Sequence, residues 1–149
     1  MELVGGRLLV LEHSGHQLLS ISTTTGVATP VGPATLPGEQ YLQFAVRGDI
    51  AYLGGSFTRL DGKYRDNLAA VNLTNGKLTT WNPQAVIADP DYADYSDVTA
   101  IAVRGSTVYF SGLFATTLAG LLAVYAWGMP GDVYPGAFDN AVHEQLRSL

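Results

Sequence analysis

Short apolar segments alternate with polar turns along most of the chain. Residues 44–46, 50–53 and 68–73 are mostly apolar and only three to six residues long, a length typical of strands and too short for helices. Residues 78–81 (Leu-Thr-Thr-Trp) continue the series. The pattern predicts four short antiparallel strands within about 40 residues.

Glycines occur at two kinds of position between these segments. Gly48 and Gly76 lie in turns, and Asn75-Gly76 between two strand-forming segments is a strong hairpin signal. Gly54 and Gly55 directly follow residues 50–53, which are apolar throughout, as in a strand covered on both faces. We expect this glycine pair to end or bulge the strand where backbone approaches backbone.

The same unit recurs along the chain. Residues 45–57 match residues 102–114 at an offset of 57, with seven of thirteen positions identical. The identities include a turn glycine, a later glycine and a phenylalanine of each copy: Gly48 and Gly105, Gly55 and Gly112, Phe57 and Phe114. Such self-similarity is typical of repeat architectures.

A weaker copy precedes these two. Residues 4–10 match residues 46–52 at an offset of 42, and residues 18–33 match 68–83 at an offset of 50, which places an eight-residue length difference in one loop. Beyond residue 125 the repeat stops, and Phe138, Val142 and Leu146 are spaced as on one face of a helix.

The chain therefore divides into four segments. We predict a partial unit at 1–40, the best-defined unit with an acidic connecting loop at 41–96, another partial unit at 97–125, and a non-repeat tail at 126–149.

One complete unit resembles a known family. Residues 52–58 (YLGGSFT) and 65–72 (RDNLAAVN), then 74–76 (TNG) and finally Trp81-Asn82-Pro83 together resemble the delta-sixty β-propeller repeat, a kelch-like unit of bacterial cell-surface proteins. Kelch proper is the near alternative, because it shares the double glycine and the later tryptophan. The resemblance implies an all-β partial propeller of two to three four-stranded blades, non-catalytic, in an extracellular or cell-surface protein.

A propeller closes its ring with at least about four blades. With fewer, we expect the chain to be a fragment of a longer protein, or to self-associate through open blade edges. Its expected partners are further propeller blades and a protein or carbohydrate ligand.

Composition narrows the function classes. The 149 residues are 47% hydrophobic and 14% charged and contain no cysteine, which excludes disordered chains, disulfide frameworks and thiolate zinc sites. A net charge of −5 disfavours nucleic acid. The longest uncharged apolar stretch, residues 118–130, is too short to span a membrane, and no signal peptide is visible at the start.

Four aspartates lie close together in the acidic loop that connects two of the predicted units. Asp89, Asp91, Asp94 and Asp97 are separated by no basic residue; they form either a solvated loop or a calcium site, because hard oxygen ligands suit calcium. Their spacing is not that of an EF-hand. No other cofactor is expected.

Aromatic residues accompany these acids. Tyr92 and Tyr95 lie among them, and we expect Tyr41 and Tyr64 in other loops. They are either ordinary β-protein aromatics or a surface that binds a sugar or a peptide.

No motif for nucleophilic catalysis or phosphate binding is present. Ser56, in the sequence Gly-Gly-Ser, is replaced by Leu113 in the next copy, so that serine is structural. His13 and His16 lack a third ligand for zinc. We expect a non-catalytic binding or structural module; the alternatives are part of a carbohydrate-active propeller enzyme, which would need paired acids, and a calcium-stabilised adhesion module.

Overall fold

All regular structure in the described part of the chain is antiparallel β-strand. The computed structural model describes residues 1–83 except 13 and 15, and then residues 85–86, 97–113 and 116–117. These residues contain thirteen strands and no helix, so the predicted all-β class is confirmed. None of them form a helix with the length and hydrophobicity that a membrane crossing requires. The helix predicted around Phe138, Val142 and Leu146 lies outside the described residues.

The first sheet is a four-stranded meander. It runs in chain order through β1 (Glu2–Val4), β2 (Arg7–Leu11), β3 (Leu18–Ser22) and β4 (Ala28–Pro30). Gly5 and Gly6, with φ of 52° and 75°, form the two-residue turn between β1 and β2, where positive φ favours glycine. The unit with the weakest sequence match therefore forms four regular strands.

The second sheet has three regular strands. They are β5 (Gln40–Arg47), β6 (Ile50–Ser56) and β9 (Leu68–Asn72). A small hairpin of β7 (Arg59–Leu60) and β8 (Lys63–Tyr64) lies between β6 and β9. Its turn residues, Asp61 and Gly62, both have positive φ.

The predicted fourth strand at residues 78–81 is wrong as a regular strand. Only Leu78 forms a bridge, to Val71. Beyond it the Thr79 carbonyl accepts a hydrogen bond from Arg65 Nη2 at 3.0 Å, and the Trp81 amide donates to the Thr79 hydroxyl at 3.2 Å. These side-chain bonds compete with a sheet ladder, so the strand ends after one bridge.

Two further pairs of strands complete the described fold. β11 (Asp97–Arg104) pairs with β12 (Thr107–Leu113) to form the third sheet. Residues 85–86 form β10, which pairs with residues 116–117, β13.

The turns show that the first two units are equivalent. Gly26 donates its amide hydrogen bond to the Ser22 carbonyl at 2.8 Å, and fifty residues later Gly76 donates to Asn72 at the same distance. The predicted offset of 50 for this part of the unit therefore describes equivalent positions.

The first hairpin has a different offset from the predicted one. Thr23 donates its amide to the Gly6 carbonyl at 3.1 Å, and Leu73 donates to Asp49 at 2.7 Å, so Gly6 corresponds to Asp49. The offset is thus 43, and the predicted 42 is one residue short. Because side chains alternate between faces with a period of two, that residue decides which face each position occupies.

The three sheets pack face to face around two hydrophobic clusters. One cluster joins residues of the first and second sheets, and the other joins the second and third. Ala51 and Leu53 of β6, at most 1% exposed, belong to the first cluster, whereas Tyr52 packs against the second. The two-sided burial predicted for residues 50–53 is therefore confirmed.

Candidate functional site

The double glycine lies where two backbones meet. The register of β5 against β6 shifts between Tyr41 and Gln43, and that of β11 against β12 shifts between Val98 and Ala100, 57 residues later. A Cβ on Gly55 would overlap the Gln40 carbonyl oxygen and lie 2.9 Å from Tyr41 Cα. Each shift is a β-bulge that leaves no room for a side chain on the partner strand.

Gly112 occupies the same place in the third sheet. A Cβ there would overlap the Asp97 carbonyl oxygen and lie 2.7 Å from Val98 Cα. Gly54 has a different neighbour, because its Cβ would lie 2.7 Å from Val98 Cγ1. Gly54 thus lets the third sheet approach the second.

Phe57 anchors the segment that carries the small hairpin. It is 1% exposed, and its ring meets Tyr41 edge-on at 5.4 Å. The Phe57 amide donates to Asn67 Oδ1 at 3.2 Å, and the Asn67 amide donates to the Phe57 carbonyl at 2.8 Å. Asn67 itself has φ of 62°, a conformation that asparagine tolerates better than most residues.

The remaining motif residues lie in turns and between sheets. Gly48 and Gly105, each with φ of 56°, occupy the first hairpin turns of their units, and Gly76, with φ of 68°, follows the turn after β9. Trp81 meets Tyr52 edge-on at 5.2 Å, and Pro83 is fully buried. Phe114 lies outside the described residues.

A cavity of about 340 Å³ lies between the first two sheets, beside the turn between β1 and β2. We call it the inter-sheet cleft. Its apolar lining includes Leu9 and Val31, and the Ser20 hydroxyl group joins them from the neighbouring strand, at 4% residue exposure. Arg7 and Asp49 are its exposed charged members. The cleft combines apolar walls with a few polar groups, as ligand pockets do.

Comparison of the two interfaces explains why the cleft exists. At offsets of 43 and 50, Leu9 corresponds to Tyr52 and Val31 to Trp81. Between the second and third sheets, Tyr52 and Trp81 form an aromatic pair. Two smaller aliphatic side chains stand in their places between the first and second sheets, where the cavity remains.

The predicted acidic site is only partly within the described residues. Asp89, Asp91 and Asp94 lie outside them, as do Tyr92 and Tyr95. Asp97 is half-buried at the start of β11. The described residues contain no group of three or more potential metal-ligating side chains, and the calcium site stays a prediction.

Of the two histidines considered as zinc ligands, His13 and His16, the first lies outside the described residues. The other imidazole, His16, places Nδ1 2.9 Å from the Thr35 hydroxyl. That contact ties His16 to the loop before β5.

Two further tyrosines have different roles. Tyr64 is 57% exposed in the small hairpin, with the Arg59 guanidinium 3.7 Å above its ring. Burial raises the pKa of the neighbouring Asp66 carboxyl; the Arg59 charge opposes that rise and the Glu39 charge adds to it. Tyr41, expected in a loop, instead lies in β5, 2% exposed, and donates its hydroxyl to the Pro33 carbonyl at 2.6 Å. It is a core residue and is unavailable to a ligand.

The buried Tyr41 hydroxyl makes the fold sensitive to alkali. Desolvation, aided by the Glu39 charge, raises the pKa of Tyr41 well above its ordinary value. Above about pH 10 a tyrosine ionises more readily in the unfolded chain, so the free energy of unfolding should fall as the pH rises further. Urea unfolding at pH 8 and 10.5 should show a smaller loss for Tyr41→Phe than for the wild type. Tyr64→Phe should match the wild type; an equal loss in all three proteins would contradict this assignment.

Comparisons with known proteins give no assignment: no known family, curated protein or solved structure matches the chain. The internal repeat, the packing of the sheets and the inter-sheet cleft are therefore the observations that bear on function.

The cleft was not predicted from the sequence. Val31 aligns with Trp81 at the offset of 50. This difference in side-chain size was a signal in the sequence from which the cleft could have been predicted. The matching contrast between Leu9 and Tyr52 appears only at the offset of 43, which the backbone hydrogen bonds establish.

Proposed function

We propose that this chain is a β-propeller-type repeat module of the delta-sixty, kelch-like kind, acting as a non-catalytic scaffold that binds a protein partner at the cell surface or in the extracellular space. The observation that carries the proposal is the repeated unit. Turn hydrogen bonds recur between the first and second units, and a bulge with its glycine recurs between the second and third.

Face-to-face packing of successive antiparallel sheets supports the propeller arrangement. Blades of a propeller are four-stranded meanders that bury their faces against their neighbours. The first sheet has this strand order, and the second is covered on both faces. No observation on the described residues favours the enzyme or the calcium-stabilised adhesion alternative.

The inter-sheet cleft is the best candidate for the binding site. The equivalent interface fills this space with aromatic rings, so the cleft suits an aromatic ring supplied by a ligand. Sugars, in contrast, usually stack on aromatic side chains of the protein, and no aromatic residue in the described part of the chain lines the cleft. Arg7 and Asp49 suit the backbone amide groups and the charged side chains of a peptide. The cleft therefore favours a tyrosine or tryptophan side chain of a protein over a carbohydrate.

Binding of a single aromatic residue tests this proposal. N-acetyl-tyrosinamide should shift the NMR signals of the Leu9 and Val31 methyl groups, with a dissociation constant on the order of 1 mM, as expected of a fragment-sized ligand. Glucose should shift neither. Val31→Trp, which copies Trp81 of the second unit, should abolish binding and raise the melting temperature by filling the cavity.

Val27→Trp is the matched control, because Val27 is 58% exposed and does not line the cleft. It should leave binding unchanged. The cleft is excluded as the site if the wild type gives no shifts at about ten times the expected dissociation constant. It is also excluded if Val31→Trp raises the melting temperature and still binds the ligand.

A further inference from the structure

The first sheet has an apolar face that no other described sheet covers. We call it the outer face. Strand register places seven apolar residues on it in two cross-strand rows: Leu3, Leu8, Ile21 and Ala28, and then Val10, Leu19 and Pro30. Leu3 is 68% exposed, and the other six are all at least partly exposed. Contiguous apolar patches on soluble proteins mark interaction sites.

The equivalent positions of the second sheet show what such a face packs against. Leu8 and Val10 correspond to Ala51 and Leu53, and Leu19 and Ile21 correspond to Ala69 and Val71, at the offsets of 43 and 50. Those four residues of the second sheet are at most 1% exposed, because the first sheet covers them. The outer face is thus one half of an interface that the described residues already build twice, between the first and second sheets and between the second and third.

The third sheet carries the complementary half on its far side. Tyr109 pairs with Ala102 across that face and corresponds, at the offset of 57, to Tyr52. Tyr52 packs against the next sheet along the chain, whereas Tyr109 remains partly exposed. The two ends of the described stack therefore present opposite halves of the same type of interface.

We infer that the outer face of the first sheet docks a second copy of this chain, whose third sheet covers it head to tail. This contact continues the packing between successive sheets. It does not depend on the inter-sheet cleft or its ligand. Contacts of this type are heterologous, so they close into a ring or extend as a filament.

The edges of the first sheet are poorer sites for self-association than its outer face. Both edge strands, β1 and β4, have only three residues, and β4 ends at Pro30, which has no amide hydrogen. Short edge strands and proline discourage edge-to-edge pairing. The expectation of association through open blade edges is thus less favoured at this sheet.

A complementation experiment tests the head-to-tail contact. We expect light scattering to show the wild type above the monomer mass, and Leu3→Asp and Tyr109→Asp each to be monomeric. Each variant retains one intact half of the interface, so an equimolar mixture should form a 1:1 dimer and no larger species. Thr24→Asp and Ser106→Asp, in exposed turns of the same two sheets, should assemble like the wild type.

Other outcomes overturn the inference. A monomeric wild type with a cooperative melt means that the face is covered within one chain or stays free. A Tyr109→Asp variant that still dimerises while Leu3→Asp does not means that two outer faces pair with each other. Circular dichroism and melting of each variant separate lost assembly from lost folding, and Ile21→Asp provides a second substitution on the outer face.

Discussion

Replacing Gly55 by alanine is expected to be among the most destabilising glycine substitutions in the described residues. The new Cβ would overlap the Gln40 carbonyl oxygen and lie 2.9 Å from Tyr41 Cα. Both neighbours are backbone atoms, so relief requires β5 to move away from β6. We expect a loss of about 3 kcal/mol, near the upper end for overpacking, and a melting temperature lower by about 10 °C.

Gly112→Ala should have a comparable effect, because its Cβ would meet the equivalent backbone atoms of Asp97 and Val98. Gly48→Ala is the matched control. Nothing lies within 4 Å of a Cβ at Gly48, but its φ of 56° is unfavourable for alanine, at a cost of about 1 kcal/mol. If Gly55→Ala costs no more than Gly48→Ala in urea unfolding, the bulge does not hold the two backbones this close.

Truncation of Phe57 is the second large effect. Phe57→Ala removes a ring that is 1% exposed and packs edge-on against Tyr41, and such deletions cost about 4 kcal/mol. Phe57→Leu keeps most of the volume and should cost about 1.5 kcal/mol. Urea unfolding at neutral pH measures both values.

Val27→Ala serves as the control for this pair, because Val27 is 58% exposed; its effect should stay within about 0.5 kcal/mol. A loss below about 1 kcal/mol for Phe57→Ala would mean that the segment after β6 contributes little to the core. The hydrogen bonds between Phe57 and Asn67 are made by the Phe57 backbone, so both substitutions leave those groups in place.

Local patterns were sufficient to predict several of the strands and turns. The apolar run at residues 50–53 indicated a strand covered on both faces, and Asn75-Gly76 indicated the turn after β9, because both signals depend on neighbours in sequence. The Asp61-Gly62 turn carried a similar signal, and the hairpin of β7 and β8 was predictable from it.

Features set by distant residues were not predictable. The strand expected at residues 78–81 ends early because the Arg65 side chain donates a hydrogen bond to the Thr79 carbonyl. The periodicity of the sequence does not reveal such a contact. The one-residue error in the offset arose because apolar residues occupy both faces of β2, so that hydrophobicity alone does not fix its register. The uncovered face of the first sheet was not predictable either. Leu8 and Val10 are apolar, as Ala51 and Leu53 are, so hydrophobicity does not show which of the two pairs another sheet covers.

Because the second sheet is buried on both faces, local stability should differ between the sheets along the chain. Stacked sheets behave as a one-dimensional array in which each unit is held by its neighbours. The first and third sheets each have one described neighbour, whereas the second has two. Opening should therefore spread inward from the two outer sheets, and the amide hydrogens of β6 should be among the last to exchange with solvent.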